Sequence, residues 1–287
     1  MPIIVKDLVY TYLKDTPLKV DALNGVNLVI GDGEFVGIIG QTGSGKTTLV
    51  QHFNGLLKPT SGSVNVNGMD ATGKNLKELR RQVGLVFQYP EHQLFEETVA
   101  KDIAFGMKKI GVTPEKINEN IKWAIKTVGL SEDILDKSPF EISGGQKRRV
   151  AIAGVLVMEP KILILDEPAA GLDPSGRDDI LANLSDMHRN LGITVILVSH
   201  SMEDIAKFAH RVIVMNDGSV QMDGSVREVF RRSDELEQLG LQPPQINALA
   251  RKLSRIIPGF NSELITVAEA KNEIVKFLAK GGEPLQR

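Results

Sequence analysis

Residues 34–53 read EFVGIIGQTGSGKTTLVQHF and join an apolar strand, a glycine-rich loop and the start of a helix. Gly40, Gly45, Lys46 and Thr47 fit the spacing G-x-x-x-x-G-K-[ST]. Glycines at this spacing let successive backbone N–H groups turn inward toward an anion, and the following helix adds its positive N-terminus. The stretch therefore predicts a phosphate-binding loop in an α/β fold, and the order strand, loop, helix argues against a chance glycine-rich turn.

The residue types in this loop favour a triphosphate with Mg²⁺. Lys46 can reach the outer phosphates as a point charge, and the Thr47 hydroxyl can coordinate a Mg²⁺ that keeps most of its waters. The predicted nucleotide-binding residues are Gly40, Gln41, Thr42, Gly43, Ser44, Gly45, Lys46, Thr47 and Thr48.

A second apolar strand supplies the acidic groups that such a site needs. KILILDEP, residues 161–168, ends in Asp166 and Glu167 before a proline closes the strand. Asp166 is predicted to hold Mg²⁺ through water, and Glu167 to polarise the water that attacks the γ-phosphate. The alternative is an ordinary polar strand end held by surface partners.

Two further strand ends carry candidate site residues. The apolar run 193–198 ends in Ser199 and His200, and the histidine can contact the γ-phosphate or orient Glu167 and the water. Gln88 closes VGLVFQ, predicted as another strand, and is a candidate for sensing the metal or the water. A glutamine at a strand end can equally be solvated in a loop, and a lone histidine is often structural.

Composition limits the remaining classes of function. The chain has 287 residues, no cysteine, five histidines and a formal net charge of -2. These values exclude disulfides and cysteine-ligated metals, and they argue against nonspecific nucleic-acid binding. No apolar run is long enough to span a membrane or to form a secretory signal, so we expect a cytoplasmic protein.

Together with ISGGQKRRVAIAG, residues 142–154, these motifs resemble the nucleotide-binding subunit of an ATP-binding cassette (ABC) transporter. The resemblance implies that Ser143, Gly144, Gly145 and Gln146 form the signature that contacts the ATP held by an opposite subunit. The usual leading leucine is Ile142 here. The structural alternative is that the glycine pair merely turns the chain into its helix.

The same resemblance assigns two more residues. Tyr12 matches the aromatic that stacks on adenine, with Tyr10 as its rival because alternation puts both on one face of the first strand. Asp173, in GLDP, matches the loop that links the two sites of the dimer, the alternative being a simple turn. The predicted catalytic set is Glu167, His200 and Gln88, and the predicted metal set is Thr47, Gln88 and Asp166.

The segment YPEHQLFEETVAKDIAFG, residues 89–106, is similar to the ATPases of energy-coupling factor transporters. That resemblance makes Glu91, His92, Gln93, Leu94 and Phe95 candidate contacts of a transmembrane coupling subunit, the alternative being a solvated loop. It further implies a small substrate-binding membrane subunit, an imported vitamin or transition metal ion, and a position at the cytoplasmic face of the membrane. Three stretches are most similar to the second of the two paired ATPases of these transporters, which favours a heterodimer.

The expected architecture is an ABC-ATPase fold over residues 1–224, with an N-terminal antiparallel part and a helical subdomain at about 90–158. Residues 225–287 have helical spacing without phosphate-binding motifs. They are predicted to form a C-terminal extension that either contributes to dimerisation or packs locally, with a frayed end at 281–284. Two alternatives remain: a soluble ABC ATPase acting on ribosomes or DNA, and a small-molecule P-loop kinase, which leaves the signature unexplained.

Overall fold

The centre of the molecule is a parallel sheet of short strands whose side chains are buried on both faces. The computed structural model describes residues 2–279. Every residue of the strands 35–39, 162–166 and 194–198 is buried, as expected for parallel strands covered on both sides. The strands are β1 Ile3–Tyr12, β2 Val20–Ile30, β3 Phe35–Ile39, β4 Ser61–Val66, β5 Met69–Asp70, β6 Val83–Val86, β7 Ile162–Asp166, β8 Thr194–Val198, β9 Arg211–Asn216 and β10 Ser219–Ser225.

The strand order places the predicted motifs along one edge of this sheet. The order is β10-β9-β3-β8-β7-β6, with β10 antiparallel to β9 and the other pairs parallel. The carboxyl ends of β3, β7 and β8 therefore lie side by side, which is where open α/β sheets bind ligands. A tight turn at Asp217-Gly218 joins β9 to β10.

A second, antiparallel sheet covers one face of the parallel sheet. Its order is β2-β1-β4-β5, and Ile3 pairs with Ile30 on one side and Val66 on the other. Alternate residues of the central strands divide between two cores. Val36, Ile38 and Ile196 pack against the antiparallel sheet, whereas Phe35 and Leu197 pack against the helices on the other face.

The helices form the second layer and the C-terminal extension. They are α1 Lys46–Phe53, α2 Leu76–Gln82, α3 Val99–Lys109, α4 Pro114–Thr127, α5 Gly144–Leu156, α6 Pro174–Leu191, α7 Met202–Phe208, α8 Val226–Arg231, α9 Ser233–Gln238, α10 Gln245–Ile256 and α11 Val267–Ala279. Helices α3, α4 and α5 pack on one another and give the helical region expected between Gln88 and the glycine pair.

One local prediction was wrong in detail. Strand β6 ends at Val86, so Gln88 lies beyond the strand that was expected to end at it. The stretch 225–240, predicted to be helical, forms two short helices, because the backbone leaves helical geometry at Arg232 with ψ 44. The predicted frayed end at 281–284 lies outside the described residues.

The C-terminal extension has a small core of its own. Ala250, Phe260, Leu264 and Ala270 are buried together, with contributions from the helices α10 and α11. Large apolar side chains on these helices nevertheless remain exposed, including Leu249, Ile256 and Val267. The division of the chain at residue 224 stays a prediction.

Candidate nucleotide site

The loop after β3 is closed around the ammonium group of Lys46. Its Nζ donates to the carbonyl oxygens of Gly40 and Gln41, each at 2.8 Å, and lies 3.4 Å from Ser44 Oγ. Lys46 is buried, and burial lowers its pKa, while the carboxylates of Glu167 and Asp166 oppose that shift. The loop thus holds a cation beside two acidic groups at the carboxyl edge of the sheet.

Thr47 and Asp166 lie in direct contact, although 119 residues separate them. Thr47 Oγ1 donates to Asp166 Oδ2 at 2.7 Å. Asp166 is the last residue of β7 and is buried, and burial raises its pKa against the bond from Thr47 and the charge of Lys46. Two of the three residues predicted to bind the metal therefore lie in contact.

Glu167 is held by its backbone in a strained conformation. Its φ is 53°, in the left-handed region that non-glycine residues rarely adopt. Its N–H donates to Val198 O at 3.0 Å, which ties this residue to the end of β8. Burial, and then the charge of Asp166, raise the pKa of Glu167 to about 7. Near neutral pH its carboxyl group is therefore present in both protonation states.

His200 lies next to Glu167, as adjacent parallel strands predict. His200 Nε2 is 3.4 Å from Glu167 Oε1, yet that buried oxygen has no hydrogen-bond partner among the described residues. The His200 side chain is half exposed, and burial and the charge of Lys46 lower its pKa. Neutral His200 can therefore donate or accept a hydrogen bond at this edge. Gln88 is exposed beyond β6.

The two candidate tyrosines differ in their surroundings. Tyr10 is half-buried against the core under the antiparallel sheet, and its ring contacts both Tyr12 at 4.7 Å and His52 at 4.9 Å. Tyr12 is exposed, and its hydroxyl lies 3.2 Å from Thr48 Oγ1 at the start of α1. Tyr12 is thus the tyrosine with an open face beside the loop.

The predicted signature begins helix α5. Ser143 caps the helix: Ser143 Oγ accepts from Gln146 N at 3.2 Å, and Gln146 Oε1 accepts from Ser143 N at 3.0 Å. A Cβ added to Gly144 or Gly145 would meet nothing within 4 Å. The chain's own packing therefore gives no reason for two glycines at this helix N-terminus.

Asp173 has a local role in this chain. It is the N-cap of α6, and its Oδ1 accepts from Gly176 N at 2.8 Å. The cap accounts for an aspartate followed by proline at a helix start. Asp173 is exposed and lies in the stretch that follows Glu167 along the chain.

The segment 89–95, called the post-Gln88 segment below, is only partly exposed. Glu91 is held within the chain, because both of its carboxylate oxygens accept from Arg148 at 2.6 and 3.0 Å; its contact with a coupling subunit stays a prediction. Leu94 packs against the core. Phe95 is 61% exposed and contacts the ring of Phe105 at 5.0 Å.

Two polar contacts near the site could not be predicted from the motifs. The side chain of Arg148, four residues after Gly144, donates to Glu91. The side chain of Gln41, in the phosphate-binding loop, donates to Leu239 O at 3.1 Å and so links the loop to the C-terminal extension. No motif or residue spacing in the sequence predicts either contact.

Comparison with known proteins agrees with this geometry. A family model described as ABC transporter matches residues 23–170. The energy-coupling factor transporter ATP-binding protein EcfA2 of Acetivibrio thermocellus is 61% identical over 98% of this chain and 100% of its own length. The protein of the same name from Caldanaerobacter subterraneus subsp. tengcongensis is 53% identical over 97% of this chain and 98% of its own.

Solved structures share the fold. The structure of cbiO1 from Clostridium perfringens, described as part of the ABC transporter complex cbiONQ, is 40% identical with a TM-score of 0.74 and covers 86% of this chain and 97% of that one. The dimeric structure of MJ0796, a bacterial ABC transporter cassette, is 31% identical with a TM-score of 0.70 and covers 78% of this chain and 99% of that one.

Proposed function

The chain belongs to the ABC transporter family, among the ATP-binding subunits of energy-coupling factor transporters, and on that premise we propose that it hydrolyses ATP to energise such an importer. The observation that carries the proposal is the meeting of Lys46, Thr47, Asp166, Glu167 and His200 at one sheet edge. A phosphate-binding loop alone fits many folds, whereas this set provides binding and hydrolysis together.

The loop residues 40–48 bind the phosphates of ATP, and Tyr12 stacks on the adenine. Lys46 is already desolvated and turned into the loop, so its Nζ can exchange carbonyl partners for phosphate oxygens. Stacking on an exposed tyrosine contributes about 1–3 kcal/mol per base. Tyr12 has the exposed ring that this contact needs, while Tyr10 fills the space behind it.

The oxygens of Thr47 and Asp166 fit Mg²⁺, which prefers hard oxygen ligands and keeps several waters. They lie 2.7 Å apart, and one is a hydroxyl and the other a carboxylate, so both are hard oxygen donors. When bound, Mg²⁺ neutralises charge on the phosphates. Gln88, exposed at the same edge, is the third residue proposed for this site.

Glu167 is the proposed general base, and His200 positions it and contacts the γ-phosphate. The unpartnered Glu167 Oε1 offers an acceptor for a water proton. A carboxyl group with a pKa of about 7 is well matched to proton transfer near neutral pH. Neutral His200 can donate from one ring nitrogen at this edge without repelling Lys46.

The complete site lies between two ATPase subunits arranged head to tail. Ser143, Gly144, Gly145 and Gln146 contact the γ-phosphate of ATP held by the other subunit, with Asp173 between the two sites. The open space over both glycines, at the N-terminus of α5, supports this role. ATP binding then closes the dimer, and hydrolysis loosens it.

The other ATPase is proposed to be a related, different chain. The stretches 16–26, 88–99 and 148–160 are most similar to the second of the paired ATPases, which favours a heterodimer over a homodimer. Residues 225–287 are proposed to help hold that dimer, because α10 and α11 keep large apolar side chains exposed. The cassette itself is proposed to span 1–224.

The transport partners are a transmembrane coupling subunit and a small membrane subunit that selects the cargo, a vitamin or a transition metal ion. Within residues 2–279, no helix has the length and apolar character to cross a membrane. We place the chain at the cytoplasmic face of the membrane, bound through partners. The exposed Phe95 and Phe105 offer the coupling subunit an aromatic contact.

The test is to tag the chain in its native cell, extract membranes in mild detergent and identify what co-purifies. We expect a second cassette ATPase, a multi-spanning membrane protein and a small membrane subunit, with ATPase activity in the purified assembly. Recovery of ribosomal proteins, or of no membrane protein, would contradict the transport function. Release of a phosphorylated small molecule instead of free phosphate would point to a kinase.

A further inference from the structure

A single buried guanidinium joins three segments around the proposed site. Arg148, on the signature helix α5, is 2% exposed. Its Nε and Nη2 donate to the two oxygens of Glu91 at 3.0 and 2.6 Å. Its Nη1 donates to the carbonyl oxygens of Pro168 at 3.1 Å and Ala170 at 2.7 Å. All three nitrogens are thus used in fixed directions.

Each partner of Arg148 belongs to a segment with a proposed role. Glu91 lies in the post-Gln88 segment, in a 3-10 turn Pro90–Gln93. Pro168 follows Glu167 directly, and Ala170 lies two residues further along the chain. Ala170 N donates back to Glu167 O at 3.1 Å. Arg148 therefore connects the segment beside the exposed Phe95 with the backbone turn that carries Glu167.

The opposite charges of Arg148 and Glu91 stabilise this connection. Burial opposes ionisation of Glu91, but the hydrogen bonds and the charge of Arg148 outweigh it and hold its pKa below the usual value. A planar guanidinium gives a carboxylate two parallel bonds and fixes its orientation. Glu167, where this turn begins, has a φ of 53°, a conformation that surrounding contacts must maintain.

We propose that Arg148 is a positioning residue, which holds the turn after Glu167 in place and transmits movement of the post-Gln88 segment to Glu167. The proposal rests on the proposed function, since it assigns Glu167 the role of general base. Arg148 touches neither nucleotide nor water in this scheme, and it acts through the backbone at 168–170. ATP binding by the loop 40–48 does not depend on it.

The test compares the Arg148→Lys and Glu91→Gln variants with wild type in the purified transporter assembly. A lysine cannot hold both carboxylate oxygens and two carbonyls at once, so the turn after Glu167 loosens. We expect kcat to fall about tenfold or more, since small misplacements of a reacting group are costly, with KM for ATP within about twofold. Glu91→Gln keeps the shape and loses the charge, and a smaller fall in kcat is expected.

The matched control is Arg211→Lys. Arg211 also donates to two carboxylates, with bonds of 2.7 Å to Asp223 and 2.9 Å to Glu34, but it begins β9 beside Val36 at the opposite end of the sheet. The control should lose a comparable network and keep kcat. Thermal melting of all three variants separates poor folding from slow turnover, and Glu91→Gln serves if Arg148→Lys does not fold.

A second readout separates positioning from general stability. If Arg148 acts through Glu167, Arg148→Lys combined with Glu167→Gln should turn over no more slowly than Glu167→Gln alone. Multiplying effects, or a kcat for Arg148→Lys equal to that of Arg211→Lys, would overturn the inference while leaving the ATPase proposal intact. An inactive wild-type assembly would instead contradict the proposed function itself.

Discussion

The phosphate-binding loop and the signature both depend on glycine, but for different reasons. Gly40 and Gly45 have φ of 154° and 97°, and a Cβ on either would lie 2.3 or 2.6 Å from a backbone oxygen of this chain. Gly144 and Gly145 begin a helix, have ordinary φ and face open space. The first loop is therefore specified by its own chain, whereas the second becomes understandable only when another molecule approaches it.

Glu167→Gln gives the largest expected effect and tests the loop side of this comparison. Removing the proposed general base should lower turnover of the assembly about 10²-fold or more. ATP binding should persist because Lys46 and Thr47 are untouched. The measurements are steady-state ATPase rates and nucleotide binding by calorimetry, with the exposed Glu97→Gln as control. Turnover near that of wild type would rule out the role of Glu167.

Gly45→Ala and Gly144→Ala should separate the two kinds of glycine. At Gly45 the strained φ and the close carbonyl of Ala22 predict a loss of about 1–3 kcal/mol in the free energy of unfolding. At Gly144 a methyl group has room, and alanine favours helix, so stability should not fall. Turnover of the assembly should nevertheless drop about tenfold or more, as when an oxyanion donor is displaced.

Denaturant titration of each isolated chain and ATPase assays of each assembly measure these outcomes. Equal stability losses at both glycines would mean that the signature is built for its own fold. Normal turnover of Gly144→Ala would remove the reason for proposing an approaching nucleotide there.

The pH dependence of stability should show a smaller effect, which comes from Glu167 beside the phosphate-binding loop and does not involve the signature. The pKa of Glu167 is raised from 4.5 to about 7, so the folded chain binds a proton that the unfolded chain has released. This contribution is fully present below pH 4.5 and is lost as pH rises through about 7. The shift is worth roughly 3 kcal/mol.

Nucleotide-free wild type should therefore lose this stability between about pH 4.5 and pH 7 relative to Glu167→Gln, which cannot ionise. Urea unfolding at several pH values measures the difference, and the difference between the two chains separates Glu167 from the neighbouring Asp166. Parallel curves would show that burial and the charge of Asp166 do not raise the pKa of Glu167 in the folded chain.

The residues at strand ends could be predicted from the sequence, whereas the side-chain contacts between distant segments could not. Apolar runs ending in Asp166 and His200 mark strand ends directly, and parallel strands must then bring those ends together. Arg148 and Glu91 lie 57 residues apart in irregular and helical segments, and no period or motif announces their contact. The end of β6 at Val86 was missed because Phe87 continues the apolar pattern, although it is no longer paired in the sheet.

Substitution of the two tyrosines offers the smallest effect and the finest test of the loop side. Tyr12→Ala should raise KM for ATP about tenfold, since stacking on a base contributes about 1–3 kcal/mol, and leave stability almost unchanged because the ring is exposed. Tyr10→Ala should lower stability and leave KM for ATP almost unchanged, because the Tyr10 ring packs on His52 and the core. Nucleotide titration and thermal melting of both variants decide between them. If Tyr10→Ala alone weakens ATP binding, the aromatic contact belongs to Tyr10, and Tyr12 with its bond to Thr48 only covers the helix start.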